Sequence, residues 1–189
     1  MSLIVNDFKI EVDQADLAHV QEALGNLKNK SPVVISRGLN KTATTARQKL
    51  ATQVKAVYTY KKSVRSQMTI KRATYGNLEA VIESSGHTHR STSFKYSFSK
   101  SAGANVQTLR GGGAPLHPPK AWKRGDFIRQ RKLGDNGKPV WRYPTKTLRG
   151  PSTPKMVENE KVYGRLKGEI ESVLHRNIES AIQSVLAGR

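Results

Sequence analysis

SPVVISRGLNKTATTARQKLATQVKAV, residues 31–57, decides the fold. Its apolar residues Ile35, Leu39, Ala43, Ala46, Leu50, Val54 and Val57 step by four or three positions throughout, the spacing of one face of an α-helix. Ser31 before Pro32 is a start signal, because a serine can cap orphan backbone N–H groups while proline fits the first helical turn. On a wheel of about 100° per residue, Arg37, Lys41 and Lys55 fall opposite the apolar stripe. The stretch therefore predicts a long helix that buries one face and turns a basic face outward.

A second long helix is expected within residues 157–189, where Val162, Leu166, Ile170, Val173, Leu174, Ile178, Ala181, Ile182 and Val185 recur at helical spacing. Gly164 and Gly168 weaken its first turns. Residues 1–30 read as an acidic strand and helix: Ile4, Phe8, Ile10 and Val12 alternate loosely, then Asp13 offers an N-cap to Leu17, Val20, Leu24 and Leu27. After Tyr58, Lys61 to Arg65 suggests a helical turn. Period-two sets follow, Met68 and Ile70, then Leu78, Ala80 and Ile82, then Phe94, Tyr96 and Phe98, which suit an antiparallel meander. Residues 99–125 carry too many Gly and Pro for regular structure beyond a short piece around Val106, and read as a long mobile loop. Within residues 126–156, Phe127 to Leu133 and Pro139 to Tyr143 flank an Asn136-Gly137 turn, a basic hairpin followed by a proline-stiffened strap. The whole, residues 1–189, is expected to be a single α+β domain, an antiparallel sheet packed with two long helices.

Charge narrows the function. Against 14 Asp and Glu stand 33 Lys and Arg, a net +19. Residues 1–27 hold five acids and one base, Lys28 to Leu78 hold twelve bases and no acid, and Gly86 to Met156 hold fifteen bases against Asp126 and Asp135. A basic stretch that long repels itself unless anions are near, so polyanionic or acidic partners are implied. An acidic start beside a basic middle also suits head-to-tail contact between copies. Hydrophobic content of 36% is low and suggests burial completed against neighbours. Without cysteine, disulfides, thiolate metal sites and cysteine nucleophiles are excluded. No apolar run approaches the roughly 20 residues a membrane helix needs. Met1 to Asp7 shows no secretory signal pattern, in keeping with synthesis in the cytoplasm.

The residues offer little chemistry of the enzymatic kind. His87 and His89 form an H-x-H pair with no third ligand nearby. His19 and His175 lie within helical segments as partly buried or surface residues. Arg110-Gly111-Gly112-Gly113 could present N–H groups to a phosphate, yet it lacks the Gly-Lys-Ser/Thr ending of a P-loop, so mobile loop is the better reading. No nucleophile elbow, zinc-protease motif or carboxylate pair occurs. Neither enzyme activity nor a cofactor is expected. The hairpin interleaves Trp122, Phe127, Trp141 and Tyr143 with Lys123, Arg124, Arg129, Arg131 and Lys132, a pattern suited to nucleic acid, although alternation favours a core role for Trp141 and Tyr143. Candidate contacts for DNA or an acidic partner are thus Arg37, Lys41, Lys55, Lys123, Arg124, Arg129, Arg131 and Lys132.

Tyr143-Pro144-Thr145-Lys146-Thr147-Leu148-Arg149-Gly150-Pro151-Ser152-Thr153-Pro154-Lys155-Met156-Val157 resembles the prophage minor tail protein Z family of tailed phages, in which a Leu-x-Gly-Pro-Ser-x-Pro stretch leads into a terminal helix. The likeness runs from about Val33 to the end: a basic helix rich in Ala and Thr, a Lys/Arg-rich junction ending in Thr69-Ile70-Lys71-Arg72-Ala73, strands, a Gly-rich loop, an aromatic basic hairpin and a closing helix. Residues before Val33 lie outside it. The resemblance implies a non-catalytic virion protein of tail completion or the head–tail junction, related to ring-forming tail-terminator and neck subunits. It implies a hexamer around the DNA channel, neighbouring tail or neck proteins as partners, and possible contact with genome DNA without sequence specificity. Gly150, Pro151, Ser152 and Pro154 form the assembly strap: two prolines fix φ and bias the preceding residues to extended shapes, setting the angle of the last helix at a subunit contact. The alternative function is a nonspecific nucleic-acid-binding protein.

Overall fold

A computed structural model describes residues 4–99, 103–111, 127–129, 145–147 and 149–188. Long helices and small antiparallel sheets make it an α+β fold. The chain divides into two compact units, Met1–Val54 with Val64–Gly86 and Thr153–Arg189, and Lys55–Ser63 with His87–Ser152.

The first unit holds strand β1 (Ile4–Glu11), helix α1 (Gln14–Leu24), most of helix α2 (Ser31–Val57), strands β2 (Met68–Lys71) and β3 (Glu79–Gly86), the short helix α3 (Thr153–Val157) and the long helix α4 (Glu160–Leu186). Asp13 caps α1 as its sequence suggests, its carboxylate accepting the Asp16 N–H at 2.7 Å. Ser31 does not cap α2. A 3-10 helix over Gly25–Lys30 runs straight into it, so Ser31 is itself helical and its hydroxyl donates to the Lys28 carbonyl at 2.6 Å. With the preceding turn already wound, there is no open N-terminus to cap.

The sheet order is β1-β3-β2, with Phe8 opposite Ile82, Ile10 opposite Ala80 and Ile70 opposite Ile82. Phe8, Ile10, Met68, Ala80 and Ile82 are buried, and Phe8 meets Tyr163 of α4 edge-on at 5.3 Å. The meander expected over residues 68–98 is therefore not one sheet. A strand has two edges, and those of β3 are taken by β1 and β2, so the third period-two set pairs elsewhere.

Helices α2 and α4 run antiparallel. Lys49 pairs with Glu169, the Gln53 amide donates to the Lys161 carbonyl, and Gly38 abuts Ile178. Their apolar stripes supply a large part of the core, Val34, Ile35, Leu39, Ala43, Ala46, Leu50 and Val54 from α2 and Val162, Leu166, Ile170, Leu174, Ile178, Ala181, Ile182 and Val185 from α4. At the crossing, buried Asn177 donates to Thr42 Oγ1 at 2.9 Å, and the threonine hydroxyl donates to the Gly38 carbonyl at 2.8 Å. Thr42→Val keeps the shape but removes the oxygen that Asn177 donates to. An unpaired buried amide costs about 1–3 kcal/mol, so the denaturant midpoint should fall accordingly, and an unchanged midpoint would deny the bond its role. On α2, Asn40 clamps the chain after β2 by donating to the Ala73 carbonyl at 3.0 Å and accepting the Ala73 N–H at 2.9 Å.

The closing helix expected from Val157 starts three residues later, and a short separate helix precedes it within the expected strap. Asn159 is extended, and its side chain accepts the Lys161 N–H at 3.0 Å, starting α4 at Glu160 and leaving Thr153–Val157 as the separate α3.

In the second unit, strands β4 (Lys95–Ser99) and β5 (Gly103–Gln107) form a hairpin with Tyr96 opposite Val106. This extends the short piece expected around Val106; residues 112–125 of the glycine-rich loop lie outside the described residues. Strands β6 (Phe127–Arg129) and β7 (Thr145–Thr147) pair antiparallel, Phe127 with Thr147 and Arg129 with Thr145. The Asn136-Gly137 turn itself lies outside the described residues. The turn expected over Lys61–Arg65 is instead a single 3-10 turn at Arg65–Gln67, in the first unit. Phe94, wholly buried, packs on Tyr60 at 5.4 Å between ring centres.

Candidate anion-binding surface

The apolar stripe of α2 faces inward, which by helical geometry leaves the opposite side to solvent. Arg37, Lys41, Thr44, Gln48, Thr52 and Lys55 are all exposed on α2. At 1.5 Å rise per residue, the span from Arg37 to Lys55 is about 27 Å. Among the described residues, neither Lys41 nor Lys55 has a carboxylate partner. Other cations of the basic middle are neutralised within the fold, Lys49 by Glu169 and Lys71 by Glu83, while Lys9 pairs with Glu79 at 3.2 Å.

Arg37 and Lys41 stand one turn apart and line a groove of about 180 Å³ with Asn177, Ser180, Ala181 and Ser184 of α4. The α4 residues escaped the sequence reading. Ala181 belongs to the apolar set, and Asn177, Ser180 and Ser184 beside it look there like ordinary polar positions; only the approach of α2 gives them a shared cation. That approach is set by Gly38, where an added Cβ would lie 2.9 Å from Ile178 Cγ1. None of the six lining residues is acidic.

The other expected contacts are not gathered at this groove. Lys55 lies near the far end of α2. Lys123, Arg124, Arg131 and Lys132 lie outside the described residues, as do Trp122, Trp141 and Tyr143, and Arg129 is placed only by its backbone in β6. Arg110, weighed as part of a phosphate loop, serves the fold instead. Its Nε donates to the carbonyls of Lys55 at 2.8 Å and Tyr58 at 3.1 Å, satisfying the C-terminal end of α2.

The strap differs from its extended expectation. Gly150, Ser152 and Pro154 are buried and Pro151 half-buried, but Pro154 sits in α3, where a first-turn proline is at ease, so the non-helical part of the strap stops at Ser152. The Gly150 N–H donates to the His89 carbonyl at 2.8 Å. Ser152 is fully buried, and its hydroxyl has no partner among the described residues.

Histidines serve packing and pairing. His19 meets Glu179 at 2.6 Å and His175 meets Asp16 at 3.1 Å, tying α1 to α4 from the surface. Among the described residues, no group of three or more His, Asp or Glu is placed to hold a metal ion. His89 Nδ1 lies 3.1 Å from the Tyr60 hydroxyl, with ring centres 4.4 Å apart. Burial, then the nearby Lys62 cation, pushes the His89 imidazole below its ordinary value, and burial raises the Tyr60 phenol. Because the folded histidine binds its proton less well than the unfolded one, its stabilisation is whole above about pH 6.5 and is lost as pH falls through the lower folded value. Melting followed from pH 7.5 to 5 should decline more steeply in the native chain than in His89→Gln. Parallel profiles would exclude this histidine as the cause.

No helix among the described residues is long and apolar enough to cross a membrane. No family model, curated protein or solved structure matches the chain.

Proposed function

We propose that the chain is a virion structural subunit of a tailed phage, acting in tail completion at the head–tail junction as one member of a hexameric ring around the DNA channel, with no catalytic step. The observation that carries this reading is the exposed side of α2, which presents Arg37, Lys41 and Lys55 on a stretch holding no acid from Lys28 to Leu78. The resemblance of residues 143–157 to the minor tail protein Z family supplies the setting. Cations spaced along a helix meet phosphates without reading bases, which suits a lumen through which any genome sequence must pass. A ring also gives each subunit a neighbour against which to complete its burial, in keeping with its modest apolar content. Neighbouring tail or neck proteins with acidic surfaces are the remaining partners, and the mature virion is the site of action.

Mass measurement in solution, with imaging of tails made without this chain, tests the proposal: a closed oligomer and defective tail ends are expected. A stable monomer absent from finished particles would overturn it. The same basic stripe also favours a nonspecific nucleic-acid-binding protein acting alone. Salt titration separates the two, since that protein must bind DNA tightly in free solution with affinity falling steeply as salt rises, whereas a ring subunit gathers its charge only on assembly.

A further inference from the structure

We infer that the groove between α2 and α4 is a discrete binding site for one phosphate group, held by Arg37, Lys41 and Ser180. It deepens the polyanion reading above and rests on that reading only for where the phosphate comes from. Its volume, about 180 Å³, is below the roughly 300 Å³ at which pockets for whole small molecules begin, so it suits a single ionic group with a few waters. The two cations differ in kind: the Arg37 guanidinium offers a planar fork to two oxygens, and Lys41, one turn on, offers a point charge. Ser180 adds a hydroxyl donor, whereas the Ser184 hydroxyl is engaged with the Ser180 carbonyl at 2.9 Å. Two cations match the near-double negative charge of a phosphate better than the single charge of a carboxylate, and the fork, the ammonium and the hydroxyl can be spread over the three free oxygens of a phosphate ester. The described residues that line the groove include no acid.

The walls are pre-set. Asn177, 7% exposed, is bonded to Thr42, which is bonded to Gly38, so both helices are locked directly beneath the groove before any ligand arrives. A ligand there meets two helix walls already held in place, so the backbone under the site need not rearrange.

Calorimetric titration of the intact protein with inorganic phosphate at constant ionic strength tests the site, with acetate as the competing anion. Saturable one-to-one binding is expected, weakened about tenfold or more by Arg37→Gln or Lys41→Gln, as befits loss of a charge-assisted contact. Lys167→Gln, which removes the same charge from an exposed position of α4 outside the groove, should change affinity less than about twofold. Non-saturating uptake, equal losses in all three variants, or acetate binding as well as phosphate would overturn the site. Exposed Arg37 and Lys41 carry no core packing, and an unchanged melting profile in each variant excludes misfolding. A parallel titration with a short DNA duplex identifies the source: loss of both ligands in Arg37→Gln marks a backbone contact, and loss of phosphate alone marks a small phosphorylated ligand. Phosphate binding without any duplex binding by the native chain would count against DNA as partner while leaving the site standing.

Discussion

Gly150→Ala is expected to destabilise the second compact unit by about 3 kcal/mol, the upper part of the range for overpacking a core. An added Cβ would lie 2.4 Å from Phe94 Cε2 and 3.0 Å from both Cδ2 and Cζ. Real carbon contacts do not close to such distances, so something must move. The ring cannot easily do so: it is wholly buried, with Tyr60 at 5.4 Å and His89 at 6.4 Å between centres. The backbone at Gly150 is held too, because its N–H donates to the His89 carbonyl and Arg149 bridges to Arg90. Hydrogen exchange checks the result directly, since the Lys61 and Gly150 amides bond to the Ser93 and His89 carbonyls in this unit and should lose protection together. Trimming the ring gives the decisive comparison. Phe94→Leu alone loses packing, but combined with Gly150→Ala it should cost less than the two changes added, a coupling of about 1 kcal/mol or more. Strict additivity would mean that the glycine and the ring do not share this space.

Residues 150–154 thus show what the chain discloses of itself and what it hides. Two prolines and a glycine mark a special backbone, which a reader of the sequence sees at once. That the glycine is there for Phe94 rather than for an extended strap depends on a ring fifty-six positions earlier. The long helices are legible because a buried face repeats every three or four residues, and α2 and α4 bury the stripes their sequences mark. Strand partnership has no such local signature. Phe8 and Ile82 lie opposite each other in neighbouring strands, but nothing around either residue announces the other. The groove divides along the same line. Arg37 and Lys41 are visible as cations opposite an apolar stripe, whereas Asn177, Ser180 and Ser184 gain meaning only when a second helix arrives beside them. Arg110 is hidden in another way: its glycine-rich neighbourhood reads as a mobile loop, but the side chain closes the end of a helix.

Gly38→Leu is expected to force α2 and α4 apart and to weaken the phosphate site without altering either cation. Intrinsic helix propensity argues the opposite, since replacing a mid-helix glycine with a good helix former gains about 1 kcal/mol. Space decides against it. Even a lone Cβ would lie 2.9 Å from Ile178 Cγ1 and 3.4 Å from the Ile178 backbone, and a leucine adds three more carbons in a crossing that is already closed. Overpacking of this kind costs about 1–3 kcal/mol and occasionally more, enough to reverse the propensity gain. Gly38→Ala, with one carbon, should fall near the balance of the two effects, so the graded pair separates space from propensity. Separation of the helices also strains the Asn177–Thr42 bond directly below the groove, leaving a buried amide without its partner and the Ser180 hydroxyl displaced from Arg37. Phosphate affinity should then fall by about tenfold or more in Gly38→Leu at a temperature where circular dichroism shows the helices intact, because a displacement of order 1 Å misaligns a fork that binds two oxygens at once. Native phosphate affinity in a folded Gly38→Leu protein would show that α4 is not a wall of the site and that the two cations act through charge alone.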